Sequence, residues 1–172
     1  ELELWKKIRT MARKGRRTGL GITAEGDMLA ALGLRYGTPE ATAFAVKVQK
    51  TLALEAYRAS VKMAAERGAF EIFDARKEEK NPMIGRIREA DPELYAEMVK
   101  HGRRNIAMLA IAPTGTTSLM SQTTSGIEPV FRPVYKRRRK INPSDQDAKV
   151  AFVDDMGEKF EEYNVYHHNF VK

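Results

Sequence analysis

The chain has 172 residues, 42% of them hydrophobic and 31% charged, with a formal net charge of +7 and no cysteine. That length supports one good core, and the lack of cysteine excludes disulfides, thiolate metal sites and a cysteine nucleophile within these residues. No apolar run is long enough to span a bilayer and no secretory leader pattern opens the chain, so the expectation is a soluble, cytoplasmic protein with no membrane partner.

In chain order, Leu4, Trp5, Ile8, Met11 and Ala12 recur at helical spacing, predicting a helix that ends at Gly15. Residues 18–23 are short, apolar and glycine-rich, which suits a strand closely approached by another backbone. Asp27 to Leu32 reads as a brief helix stopped by Gly33. Thr38-Pro39-Glu40 then carries a cap, a first-turn proline and an acid suited to the helix dipole. It opens a long helix striped by Phe44, Val48, Leu52, Ala56, Ala59 and Met63, broadened by Leu54, Tyr57 and Val61, and closed at Arg67-Gly68. Residues 74–91, with Lys77-Glu78-Glu79-Lys80-Asn81-Pro82, read as an exposed loop or turn-rich excursion. Asp91-Pro92-Glu93 starts another helix through Leu94 and Met98 to Gly102.

A strand is expected over residues 105–112, ended by Pro113. Thr114-Gly115-Thr116-Thr117-Ser118 follows as a hydroxyl-rich turn into a short helix. A turn of this kind presents backbone N–H groups and hydroxyl donors to an anion, and phosphate is the natural guest. The competing reading is that Thr114, Thr116 and Thr117 only cap the helix. Residues 128–135 look extended, with Pro129 and Pro133 suited to an edge. A short helix is expected over residues 154–163. No internal repeat is visible, and alternating helices and strands indicate an α/β class with only three to five strands, which points to part of a larger sheet.

Three basic clusters stand out: Arg13 to Arg17, Arg103-Arg104, and Lys136 to Lys140. Such runs serve nucleic acid, phosphorylated small molecules or plain solvated faces. Aromatic interleaving is sparse, with Tyr135 beside the last run, so nucleic acid ranks below a phosphorylated small molecule. His167 and His168 are adjacent and their rings diverge, which disfavours a shared metal, and no metal site is expected. Glu128, restricted to extended backbone by Pro129, is a candidate acid, base or hydrogen-bond anchor beside the phosphate turn, with pairing to an arginine as the structural default.

The ordered segments Arg16-Arg17-Thr18-Gly19-Leu20-Gly21-Ile22-Thr23, Gly26-Asp27-Met28-Leu29, Ala64-Ala65-Glu66-Arg67-Gly68-Ala69-Phe70, Arg103-Arg104-Asn105, Ile111 through Ser118, and Ser125-Gly126-Ile127-Glu128-Pro129-Val130-Phe131 resemble the catalytic subunit of ribonucleotide reductases. The resemblance is nearest to the adenosylcobalamin-dependent class II enzymes. It runs through nearly the whole chain, read as one segment, residues 1–172. It implies part of a ten-stranded α/β barrel in which Pro113, Thr114, Gly115, Thr116, Thr117 and Ser118 hold the phosphates of a ribonucleoside di- or triphosphate, with Glu128 in support.

It also implies thiyl-radical reduction of the ribose by cysteines that lie upstream of residue 1 in the family. No catalytic residue is therefore expected in this chain. Adenosylcobalamin is the implied cofactor, with residues 132–140 as a candidate surface for it. The implied partner is the upstream portion of the same subunit or a split partner chain, without which the chain is expected to be inactive. The alternative function is a non-catalytic phosphate- or nucleic-acid-binding module, and exposed barrel surface would favour homo-oligomers.

Overall fold

The computed structural model describes residues 1–145 and 147–170. The class is α/β, with seven α-helices and one small sheet among the described residues. Two compact units emerge, one from Glu1–Ile22 with Gly37–Pro113, the other from Thr23–Tyr36 with the residues from 114 onward.

The first unit contains α1 (Leu2–Gly15), α3 (Pro39–Arg67), α4 (Ala75–Glu78), α5 (Pro82–Ala90) and α6 (Pro92–His101); α2 (Glu25–Ala31) belongs to the second. The start signal of α3 works as its chemistry requires: Thr38 accepts from the Ala41 N–H and Pro39 takes the first turn. The core is built where α3, α5 and α6 meet, from Tyr57, Val61, Ile84, Ile87, Leu94 and Met98, with Met108 added from the following segment. Truncating any of its aliphatic members to alanine would cost about 2–5 kcal/mol. Within α3, burial is concentrated at Ala41, Tyr57, Ser60, Val61 and Ala64, whereas Ala59 and Met63 of the expected stripe are exposed.

Residues 74–91 are exposed over much of their length, but they form two helices where their charge suggests a loop or turn-rich excursion. Asp74 caps α4 through the Arg76 N–H, Asn81 caps α5 through the Met83 N–H, and α5 buries Ile84 and Ile87. The charged run Lys77 to Lys80 closes α4 and leads into α5, and two isoleucines at a spacing of three suffice to dock the second helix.

Residues 18–21 and 107–110 run parallel, joined by Thr18 N–H to Ala107 O at 2.9 Å, Leu20 N–H to Met108 O at 2.7 Å and Ala110 N–H to Leu20 O at 2.9 Å. They pair through the single bridge Leu20–Leu109 and do not extend to the full strands expected over 18–23 and 105–112. The close approach is real, because a Cβ on Gly21 would lie 2.0 Å from the Ala110 carbonyl oxygen.

The second unit contains α2 (Glu25–Ala31), α7 (Gly115–Ser121), strands β1 (Val134–Lys140), β2 (Phe152–Val153) and β3 (Lys159–Tyr166), and a 3₁₀ turn at His168–Phe170. The sheet is antiparallel in the order β1-β3-β2, with Arg138 opposite Glu162 and Arg139 opposite Glu161. Most of residues 154–163, expected to be helical, thus form a turn and the first part of β3. The register explains why. Cross-strand partners of opposite charge, together with Phe152 stacked on Phe160 at 5.0 Å, reward the extended form at positions whose alternation is polar on both faces. No helix among the described residues is long and apolar enough to cross a membrane.

Candidate functional site

The polar groups that the sequence singled out sort into those spent on the fold and those left open. Arg103 is spent. Its side chain is 3% exposed, and its guanidinium forks onto the Glu78 carboxylate, with Nη2 to Oε1 at 2.6 Å. Nε donates to the Asn105 carbonyl at 3.1 Å and Nη2 to the Ile106 carbonyl at 3.3 Å. The rings of Phe70, Tyr57 and Phe73 lie 5.3, 5.8 and 5.9 Å from its central carbon. Arg104 caps the end of α3, donating to the carbonyls of Arg67 and Gly68 at 2.8 and 2.9 Å. Asn105 closes the group: its N–H donates to Ser60 Oγ, its Oδ1 accepts from the Ser60 hydroxyl, and its Nδ2 donates to the Arg16 carbonyl. This cluster is a structural lock, and its charge is not offered to a ligand.

The basic run of β1 is likewise engaged. Arg138 and Lys136 pair with Glu162 at 2.6 and 3.8 Å, Arg139 with Glu161 at 2.6 Å and Asp145 at 3.3 Å, and Lys140 with Glu158 at 2.9 Å. Arg138 also lies 4.7 Å over the Phe152 ring. Among the described residues, Arg137 alone of the run stands outside these pairs. The hydrogen bond and charge of Arg138 hold the Glu162 carboxyl below its ordinary range.

The hydroxyl-rich turn is arranged differently. Pro113 is exposed and closes the first unit; Thr114 opens the second stretch of the other. Thr114 occupies the position before α7 in the left-handed region, at φ 47° and ψ 22°, and its side chain does not cap the helix. Its hydroxyl oxygen instead lies 2.9 Å from Thr23 Oγ1 and accepts from the Gly126 N–H at 2.7 Å. The same N–H reaches Thr23 Oγ1 at 3.2 Å, and the Thr23 hydroxyl lies 3.3 Å from the Thr124 carbonyl. Ser118 is buried and donates to the Gly115 carbonyl at 2.8 Å. Gly115, Thr116 and Thr117 are exposed, and the first N–H groups of α7 have no intrahelical acceptor.

Asp27 braces this turn from α2. Its carboxylate accepts from the Thr124 N–H and from Asn169 Nδ2 at 2.6 Å, while its own N–H donates to Thr124 Oγ1 at 3.3 Å. Burial pushes the Asp27 carboxyl upward, but the hydrogen bonds from Thr124 and Asn169 and the nearby His167, 4.0 Å away, outweigh it and hold the group below its ordinary range. Gly26 lets α2 come in closely, because a Cβ there would lie 2.6 Å from the Glu128 carbonyl oxygen. The Glu128 side chain itself is exposed and makes no ion pair among the described residues, while its N–H donates to Ser125 O at 3.1 Å.

The structure therefore brings Thr114, Gly115, Thr116, Thr117 and Ser118 into one turn, and adds Thr23, Asp27, Thr124 and Gly126 as its supports. Thr23 and Asp27 lie 91 to 103 residues from the groups they hold, and Gly126 lies 12 from Thr114, so no local spacing announces them.

The family model "Ribonucleotide reductase, barrel domain" matches residues 4–163. A vitamin B12-dependent ribonucleoside-diphosphate reductase of Mycobacterium tuberculosis is 36% identical over 127 residues, covering 73% of this chain and 16% of that protein. The protein of the same name from Thermoplasma acidophilum is 32% identical over 132 residues, covering 77% of this chain and 15% of its own length. The ribonucleoside-diphosphate reductase subunit alpha of Treponema pallidum is 31% identical over 134 residues, covering 73% and 15%. The chain thus spans about one sixth of the length of the curated relatives it matches. With the match extending across both units and through the hydroxyl-rich turn, the chain belongs to the ribonucleotide reductase family, as a stretch of its barrel domain.

Proposed function

We propose that this chain supplies the substrate-phosphate loop of a ribonucleotide reductase and completes an active site whose reacting cysteines belong to other residues of the catalytic subunit or to a partner chain. One observation carries the reading. Inside the matched barrel domain, the exposed turn at Gly115 to Thr117 presents backbone N–H groups and two hydroxyls beside an internally satisfied support. Those donors suit the oxygens of a ribonucleoside di- or triphosphate. The role is positioning: a phosphate held here fixes the ribose relative to groups that act on it. The chain has no cysteine, so its own residues bind and orient but do not supply a thiol.

The ten-stranded barrel belongs to this proposal too. The parallel pairing of residues 18–21 with 107–110 would be two neighbours within it, with further strands supplied from outside the chain.

Adenosylcobalamin is the cofactor suggested by the names of two relatives. Residues 132–140 do not fit it as a cradle. Four of the five cations of β1, all but Arg137, are paired with Glu158, Glu161 and Glu162, and every residue of the strand is solvent-exposed. The same pairing weighs against the nucleic-acid-binding alternative, which needs free cations along that run.

The test is to mix the chain with the remainder of a class II catalytic subunit, adenosylcobalamin, a dithiol reductant and a ribonucleotide, and to measure deoxyribonucleotide formation. Turnover is expected in the mixture and in neither piece alone. No turnover with both pieces folded would overturn the proposal.

A further inference from the structure

We infer that Thr23 is a positioning residue for the phosphate loop, its hydroxyl holding Thr114 in the left-handed backbone and turning the Thr114 hydroxyl inward, so that Thr116 and Thr117 are the hydroxyls offered to phosphate. The inference rests on the substrate-loop reading above and narrows it.

A left-handed backbone is unfavourable for any residue with a Cβ and more so for a β-branched one. Thr114 is held there at φ 47° with no side-chain cap to reward it; its helix contributes only the Ser118 N–H to the Thr114 carbonyl, at 2.8 Å. Something outside the helix must over-determine the conformation. Three groups do, acting on the Thr114 hydroxyl: Thr23 Oγ1, the Gly126 N–H and, through Thr23, the Thr124 carbonyl.

Proton counting fixes their roles. A hydroxyl has one proton to donate. The Thr124 carbonyl can only accept, so the Thr23 hydroxyl donates to it across 3.3 Å. The proton in the 2.9 Å contact between the two threonines must then come from Thr114. Thr114 also accepts from Gly126 at 2.7 Å. Its single proton is spent inward, and an ionised phosphate, which only accepts, gains no donor from it. Ser118 is spent in the same way on the Gly115 carbonyl. Of the four hydroxyls from Thr114 to Ser118, Thr116 and Thr117 remain, both exposed.

The experiment uses the 172-residue chain labelled with ¹⁵N. Three things are read: amide exchange at Gly126, the H–N–Cα–H coupling of Thr114, and affinity for cytidine 5′-diphosphate. Thr23→Val should raise Gly126 exchange, move the Thr114 coupling away from its left-handed value and weaken diphosphate binding, the first and last about fivefold each, in line with one lost hydrogen bond. Thr23→Ser should restore all three.

Glycine adopts the left-handed region freely. In a Thr114→Gly background, Thr23→Val should therefore lose most of its effect on affinity, which a general destabilisation would not. Unchanged Gly126 exchange and Thr114 coupling in Thr23→Val would overturn the inference, as would an equal affinity penalty in the Thr114→Gly background. If the parent chain bound no diphosphate while Thr23→Val still changed the coupling and exchange, the positioning of Thr114 would stand and the substrate-loop reading would fall.

Discussion

The two polar clusters of this molecule are built from similar parts and end in opposite conditions. Around Arg103, the side-chain donors turn onto acceptors inside the cluster: Glu78, the carbonyls of Asn105 and Ile106, and then Ser60 and Arg16 through Asn105. Around Thr114, the inner groups satisfy one another, while Gly115, Thr116 and Thr117 stand exposed on the rim. A buried network that closes on itself specifies a fold. One that closes its base and leaves donors at its edge can also hold a guest. The contrast separates two motifs that the sequence presents with equal emphasis, Arg103-Arg104-Asn105 and Pro113 to Ser118.

The largest expected effect breaks the closed cluster. Glu78→Ala leaves the buried Arg103 guanidinium without its counter-charge, and equilibrium urea unfolding should show a loss of about 3–5 kcal/mol. Since Arg103 is tied to the fold and not to a ligand, whatever protein remains folded should bind nucleotide as before. A loss below about 1 kcal/mol would mean that water replaces the carboxylate, and that the cluster is not closed.

A smaller, pH-dependent effect comes from the brace beneath the open cluster. The folded Asp27 carboxyl lies below its ordinary range. The stability it contributes is therefore present above the unfolded carboxylate value, about 3.9, and is lost as pH falls through the lower folded one. Asp27→Asn should destabilise the chain at neutral pH, and the difference from the parent should shrink steadily below about pH 4. A difference that stayed constant down to pH 2 would contradict the hydrogen-bond account of Thr124, Asn169 and His167 around this carboxylate.

Much of the helical frame is legible in the residues. Thr38-Pro39-Glu40 and Asp91-Pro92-Glu93 start α3 and α6 where capping chemistry places them, and Gly68 and Gly102 end them. These are local signals, in which a side chain meets a backbone group within three or four positions. The segment at 74–91 misleads because its charged run is adjacent to, and more conspicuous than, the two isoleucines that bury α5. Strand β3 misleads because its polar residues alternate on both faces, and its partners, the cations of β1, lie more than twenty positions away. The turn at 113–118 is recognisable from its hydroxyls, but its conformation is not. The left-handed Thr114 depends on Thr23, and nothing within a few residues of either announces the pairing.

The smallest effect sharpens the comparison from the other side. Thr116→Val with Thr117→Val removes two hydroxyls that the fold does not use, so unfolding free energy should stay within about 0.5 kcal/mol of the parent. The same variant serves the measurement that bears most directly on the central claim, a titration of the ¹⁵N-labelled chain with cytidine 5′-diphosphate followed amide by amide. The predicted result is a saturable shift at Gly115 to Ser118, none along Val134–Lys140, and loss of the response in the double variant. Shifts confined to the β1 strand, or a silent turn in a folded chain, would contradict the assignment of this loop to the substrate phosphates.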